Sequence, residues 1–293
     1  MVEPCSETWQ GCFEDNWAGI LPASAMRHPA RFAPRLIKRI LDEGFLRGWW
    51  SKGDYILDPF AGVATGGICA YSRGLKWVGI EIEPHFVSAA KETIDRWCPD
   101  PILAPKPIML SGDSRFLGRF LTMEFRAIVT SPPYGDVVLG GNHERETAES
   151  TRIKRRTGGG SLGVSMRHFG YGLTEGNLSS LKIDEQMKHA KIVYSECVKC
   201  LSSDGVMVVV VKNYVRDNKI VDIVSMTKDV LSSCGLSKIC SISAMLNKVT
   251  RQPGLFGEEV VEVKERKSFF KRLHESKGAP KIEEEYVLVF RRD

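Results

Sequence analysis

Short β-branched apolar runs recur along this sequence, separated by stretches whose apolar residues step by three and four, and that alternation leaves few folds open. The runs are Tyr55–Phe60, Trp77–Glu83, Pro107–Leu110, Ala127–Thr130, Gly205–Val211, Ser241–Asn247 and Glu285–Phe290. Several are continuously apolar, the pattern of strands covered on both faces. Between them, Leu36, Ile37, Ile40 and Leu41 share one helical face that ends near Gly44. Phe86, Ala90, Ile94 and Trp97 repeat the pattern after Pro84, a residue suited to a first turn. Met187, Ala190, Tyr194, Cys197 and Leu201 mark a longer amphipathic helix. The alternation predicts an α/β fold: a doubly wound, mainly parallel seven-stranded sheet with helices on both faces.

Composition narrows the class further. The longest apolar run, Val206–Val211, has six residues, against the roughly twenty needed to span a bilayer. The opening Met1-Val-Glu-Pro-Cys5 has no basic stretch leading into an apolar one, so no secretory signal and no membrane partner are expected. Eight cysteines in 293 residues are too sparse for a disulfide scaffold, which predicts a reduced, cytoplasmic protein. Lys plus Arg number 41 against 36 Asp plus Glu, a net charge of +5 that permits a polyanionic partner without requiring one.

One segment breaks the rhythm. Residues 135–179 are glycine-rich and lack sustained periodicity, and a stretch of that length inside a compact domain is usually functional or disordered. Within it, Thr151–Gly172 carries Arg152, Lys154, Arg155, Arg156 and Arg167, no acidic residue, and the aromatics Phe169 and Tyr171. The expected organisation is one domain built from residues 1–134 and 180–293, with 135–179 as an inserted, loop-rich segment.

Two motifs fall at strand ends. Asp58-Pro-Phe-Ala-Gly-Val-Ala-Thr-Gly-Gly67 follows the first strong strand. Glycines at a strand-to-helix turn let backbone approach a ligand, and the next helix offers free N–H groups. Glu81 lies at the end of the following strand, in Val78-Gly-Ile-Glu-Ile-Glu83, where an acid can accept hydrogen bonds from ribose hydroxyls. The spacing matches neither Gly-x-Gly-x-x-Gly nor a Walker loop. A Gly-rich turn with a solvated carboxylate is the plainer alternative. The second motif, Thr130-Ser-Pro-Pro-Tyr134, sets a hydroxyl beside a rigid carbonyl, an acceptor pair for an –NH2 group, with an aromatic one step on. Its plainer alternative is a stiff loop with a core tyrosine.

Together Asp58–Gly67, Glu81 and Ser131–Tyr134 resemble the S-adenosylmethionine-dependent amino-methyltransferases that modify exocyclic nitrogens of DNA bases. His28-Pro-Ala-Arg-Phe-Ala-Pro-Arg35 is similar to the family's accessory cofactor motif, in the motif order often called gamma. Ala64 departs from the pattern, standing where many relatives have a second glycine. The resemblance covers about residues 17–134 and, more loosely, 180–293, and it implies that 1–134 with 180–293 form the catalytic domain and that 135–179 is a target-recognition segment. It implies a Rossmann-like class I methyltransferase in a prokaryote or phage, with double-stranded DNA as partner and room for a restriction endonuclease as a second. It implies that His28, Pro29, Asp58, Phe60, Ala61, Gly62, Glu81, Ile82, Asp113 and Ser131 hold the cofactor, and that Ser131, Pro132, Pro133 and Tyr134 form the catalytic turn. No metal is required. Ser-Pro-Pro-Tyr is commonest among cytosine-N4 enzymes, so N4 is preferred over adenine N6. RNA N-methylation and an inactive nucleic-acid-binding relative are the remaining alternatives.

In this reading Ser131 and the Pro132 carbonyl hold the amine, and Tyr134 stacks on a base swung out of the duplex. Arg152, Lys154, Arg155, Arg156 and Arg167 contact phosphates. Lys212 and Asn213 are weaker candidates for touching DNA. Cys197-x-x-Cys200 has metal spacing but no second pair, and reads as core packing.

Overall fold

The computed structural model describes residues 5–99, 105–133, 174–253, 259–265 and 278–293. All seven expected strands form: β2 (Tyr55–Asp58), β3 (Lys76–Glu81), β4 (Ile108–Ser111), β5 (Phe125–Thr130), β6 (Leu201–Val211), β9 (Leu236–Met245) and β12 (Glu284–Arg292). Among the described residues the sheet has eight strands rather than seven, because β1 (Cys5–Trp9) joins its edge; the order is β1-β9-β12-β6-β5-β2-β3-β4. Of these strands only β12 runs antiparallel to its neighbours, β6 and β9. Two small hairpins lie outside the sheet, β7 (Tyr214–Arg216) with β8 (Lys219–Val221) and β10 (Asn247–Pro253) with β11 (Glu259–Glu265).

The continuous apolar run of β6 is explained by its surroundings. Val206, Val208 and Val210 enter one apolar core, and Met207, Val209 and Val211 enter the other. Alternate side chains point to opposite faces of a strand, so a strand covered on both sides needs no polar positions. The first core is closed by α2 (Pro34–Leu46), α3 (Thr65–Tyr71) and α4 (Pro84–Trp97), through Leu36, Ile37, Ala70, Phe86 and Ile94. The second is closed by α5 (Ile183–Cys200) and α6 (Ile223–Ser233), through Val193, Tyr194, Ile223 and Leu231. A four-residue turn of helix, α1 (Ala23–Met26), precedes α2. Cys197 and Cys200 are buried in the second core as free thiols, the packing role expected of them.

The cysteine expectation needs one correction. Cys5 and Cys240 face each other in register across β1 and β9, with Cα atoms 4.5 Å apart, and form a disulfide. Their pairing was hidden because β1 carries no continuous apolar run; its residues alternate between half-buried and exposed until Trp9.

The chain runs from β2 through β3 to β4 in one direction and then returns to place β5 on the other side of β2. The carboxyl ends of β2 and β5 therefore flank the switch point of the sheet. Open α/β sheets bind ligands at this crevice.

Candidate active site

Asp58, the last residue of β2, is 2% exposed. Its Oδ1 accepts from the Phe60 amide at 3.1 Å and from the Thr130 hydroxyl, at the end of β5, at 2.7 Å. The two sequence motifs are thus joined by a direct hydrogen bond. Burial pushes the Asp58 carboxyl up to about 7, against the Thr130 and Phe60 hydrogen bonds, which pull it down.

Glu81 ends β3. Its Oε2 accepts from the Gly62 amide at 3.0 Å and its Oε1 from the Glu83 amide at 2.9 Å. Burial raises its carboxyl to about 7 as well, with those backbone donors opposing and the Glu83 charge adding. Gly62 has φ +52°, and a Cβ there would stand 2.9 Å from His28 Nε2, so the loop can pass this close to His28 only as glycine. Ala64 takes up the left-handed conformation, φ 61°, as the residue preceding α3, and is fully buried. The loop thus keeps at Ala64 the turn a second glycine would make. His28 is edge-on to Phe86, ring centroids 4.3 Å apart, and burial lowers its pKa to about 3, leaving a neutral ring.

Ser114 donates to the Pro59 carbonyl at 2.6 Å, which ties the turn after β4 to the glycine loop. Asp113 accepts from the Arg115 amide at 2.9 Å and pairs with its guanidinium at 2.6 Å. On the β5 side, Gln186 of α5 donates its side-chain amide to the Pro133 carbonyl. Gln186 is 2% exposed, so a buried donor from a helix braces the diproline turn.

One cavity of about 1420 Å³ collects these groups. His28, Pro29, Asp58, Phe60, Ala61, Gly62, Glu81, Ile82, Asp113, Ser131, Pro132 and Pro133 all line it. Tyr134, Arg152, Lys154, Arg155, Arg156 and Arg167 lie outside the described residues. Lys212 and Asn213 also border the cavity, but each has structural work: Lys212 pairs with Glu285 at 2.9 Å, and Asn213 Oδ1 accepts from the Val224 amide in the first turn of α6. Sequence reasoning missed Thr130 as a link, Gln186 as a brace, and Glu83. Of these only Thr130 left a signal, its place directly before Ser131.

Residues 3–92, which hold the accessory motif, the glycine loop, Glu81 and Glu83, match the family model described as DNA methylase. Over that stretch, which is under a third of its length, the chain is similar to the DNA methylase family. It is 29% identical over 92 residues to the Type II methyltransferase M2.DpnII of Streptococcus pneumoniae, covering 30% of each chain. It is 35% identical over 68 residues to the DNA adenine methyltransferase YhdJ of Escherichia coli, covering 23% of this chain and 21% of that one. The matches thus span less than a third of these relatives' length. Among solved structures, TrmN from Thermus thermophilus aligns over 92% of this chain and 51% of its own, with 14% identity and a TM-score of 0.45, too low to bear on activity.

Proposed function

We propose that the chain transfers a methyl group from S-adenosylmethionine to an exocyclic amino nitrogen of a DNA base, with cytosine N4 preferred. One observation carries this reading: the Ser131–Pro133 turn and the Asp58–Gly62 loop, bonded to each other through Thr130, open into the same cavity at the switch point of the sheet.

The residues fit the cofactor. A carboxylate has about four lone-pair positions, and the amides of Gly62, Glu83 and Ile82 occupy up to three of those on Glu81, which leaves room for a ribose hydroxyl. Glycine at position 62 keeps clear the space a side chain would fill. Phe60 offers a half-buried aromatic face, a surface that tolerates a cation. Asp58 and Glu81, ionised above pH 7, favour a positively charged ligand.

When bound, the cofactor supplies the methyl group as an electrophile on a cationic sulfur. The rest falls to this chain. An exocyclic amine donates its lone pair into the ring and is a poor nucleophile. The Ser131 hydroxyl and the Pro132 carbonyl are acceptors for its two N–H groups and draw the nitrogen toward a pyramidal form. The advantage lies in rigidity: two prolines fix the turn, Gln186 holds the Pro133 carbonyl and Thr130 fastens the strand end to Asp58. Acceptors fixed in place before the reaction cost no reorganisation during it. Tyr134 is assigned to stacking on the extruded base and the Arg152–Arg156 cluster with Arg167 to the DNA backbone, both on sequence alone.

Adenine N6 is the second reading, favoured by the match to a DNA adenine methyltransferase; the same acceptor pair suits either amine. Mass spectrometry of nucleosides digested from methylated duplex DNA separates them. N4-methylcytosine is expected, N6-methyladenine selects the second reading, and no methylated base in DNA refutes both.

A further inference from the structure

Glu83 is 3% exposed and directly precedes α4, yet its side chain makes no capping hydrogen bond to that helix. It turns instead toward a segment about ninety positions downstream. Its Oε1 accepts from the Thr174 amide at 3.0 Å and from Asn177 Nδ2 at 2.7 Å, and its Oε2 accepts from the Thr174 hydroxyl at 2.8 Å. A buried carboxylate is costly unless its oxygens are satisfied. Here three donors from one short stretch satisfy it.

That stretch borders the cavity. Gly176, Asn177 and Leu178 line it together with Ile82 and Asp113. Gly176 has φ +91°, and a Cβ there would run into the Arg115 guanidinium and stand 3.0 Å from Asp113 Oδ2. The backbone therefore lies directly against the Asp113–Arg115 pair. Asn177 is fixed from both ends: its Nδ2 is held by Glu83, and its Oδ1 accepts from the Ser179 amide and hydroxyl. Two residues before Glu83, Glu81 binds the Glu83 amide. One tripeptide, Glu81-Ile-Glu83, thus presents an acid to the cavity and anchors part of its wall.

We propose that Glu83 is a positioning residue of the cofactor site, a hydrogen-bonding latch that grips Thr174 and Asn177 and so holds Gly176–Leu178 in place as cavity wall beside Ile82 and Asp113. The proposal rests on the cofactor reading above. Without the latch, only a fraction of molecules present the wall in place, and the apparent dissociation constant rises by the inverse of that fraction.

The test is calorimetric titration of S-adenosylhomocysteine into the full chain, with thermal melts to establish folding. Glu83→Ala is expected to raise Kd about tenfold, the loss for a wall in place one-tenth of the time. Glu83→Gln is expected to stay within about twofold of wild type. Its carbonyl can still accept from the Thr174 amide and from Asn177, and its amide can donate to the Thr174 hydroxyl, which rotates to accept. Thr174→Val, at a half-buried position, removes one donor and is expected to give a smaller rise, and it decides the matter should Glu83→Ala not fold. Unchanged Kd in Glu83→Ala or, if that variant does not fold, in Thr174→Val overturns the proposal. So does a Glu83→Gln protein as weak as Glu83→Ala, because a merely structural charge would not be rescued by the amide. A wild-type chain that binds no S-adenosylhomocysteine defeats the cofactor reading itself, a failure visible before any variant is compared.

Discussion

The Thr130 hydroxyl donates to Asp58 Oδ1 at 2.7 Å, from the end of one central strand to the end of its neighbour. Both side chains are buried, so the bond sets the spacing between the glycine loop and the Ser131–Pro133 turn. It also lowers the Asp58 pKa, opposing the larger upward push of burial.

Thr130→Val keeps the shape and removes the donor. The Asp58 carboxyl should then climb above about 7. If the ionised Asp58 favours the cationic cofactor as proposed, the pH below which S-adenosylmethionine affinity falls should move upward. Calorimetric titrations between about pH 6 and 9 check this; an unchanged midpoint would detach Asp58 from cofactor binding.

Asp58→Asn should separate stability from function. Asp58 titrates at about 7 in the folded chain against an ordinary 3.8, so between these values the folded state binds more protons than the unfolded one. Wild-type stability therefore falls as pH rises from about 4 to about 7 and is level above. The displacement is worth at most on the order of 4 kcal/mol. Asparagine has no proton to lose, and its Oδ1 can still accept from Thr130 and Phe60. The variant should unfold at higher denaturant than wild type at about pH 8, with the gap closing toward about pH 4, and should bind cofactor poorly. Glu81→Gln should show no such gain, because its amide would face the N–H of Gly62 or Glu83. Equal stability of Asp58→Asn and wild type in alkaline solution would refute the assignment.

The strands and the two motifs were legible because their signals are local. Six consecutive apolar residues in β6 announce burial on both faces, and Asp58, Glu81 and Ser131 sit at or just past strand ends that parallel topology brings to one edge. What stayed hidden depends on distant partners. Cys5–Trp9 becomes a strand only by pairing with β9, 235 positions away at the disulfide. Nothing local marks Glu83 out, because its partners Thr174 and Asn177 lie about ninety positions downstream. Gln186 looks like an ordinary helix residue, and only the packing of α5 directs its amide to Pro133. The segment expected to span 135–179 ends in structure: Asn177–Ser179 are buried, and Asn177 and Ser179 bond to each other.

Ser131→Ala removes one of the two acceptors assigned to the incoming amine and none of the groups assigned to the ribose. Turnover should fall by about 100-fold or more, the usual loss for one preorganised polar group at a reacting centre, while S-adenosylhomocysteine affinity stays nearly normal. Gln186→Leu, which frees the Pro133 carbonyl without touching Ser131, should lower turnover less and likewise spare cofactor affinity. Single-turnover methylation with a parallel binding measurement reads both. Cofactor affinity impaired as severely as turnover would contradict the division of roles.

The basic cluster gives a prediction independent of the cavity. If Arg152, Lys154, Arg155 and Arg156 each neutralise a phosphate, converting all four to glutamine leaves four phosphates to their counterions. The slope of log affinity against log salt should then become shallower by up to about 3.6, at roughly 0.9 for each phosphate that is no longer neutralised on duplex DNA. Cofactor affinity should not move, since the cofactor is assigned to other residues. The slope distinguishes this from misfolding, which would abolish binding at every salt concentration rather than flatten its dependence. Retention of the wild-type slope would assign the cluster to a solvated surface and require DNA to be held elsewhere.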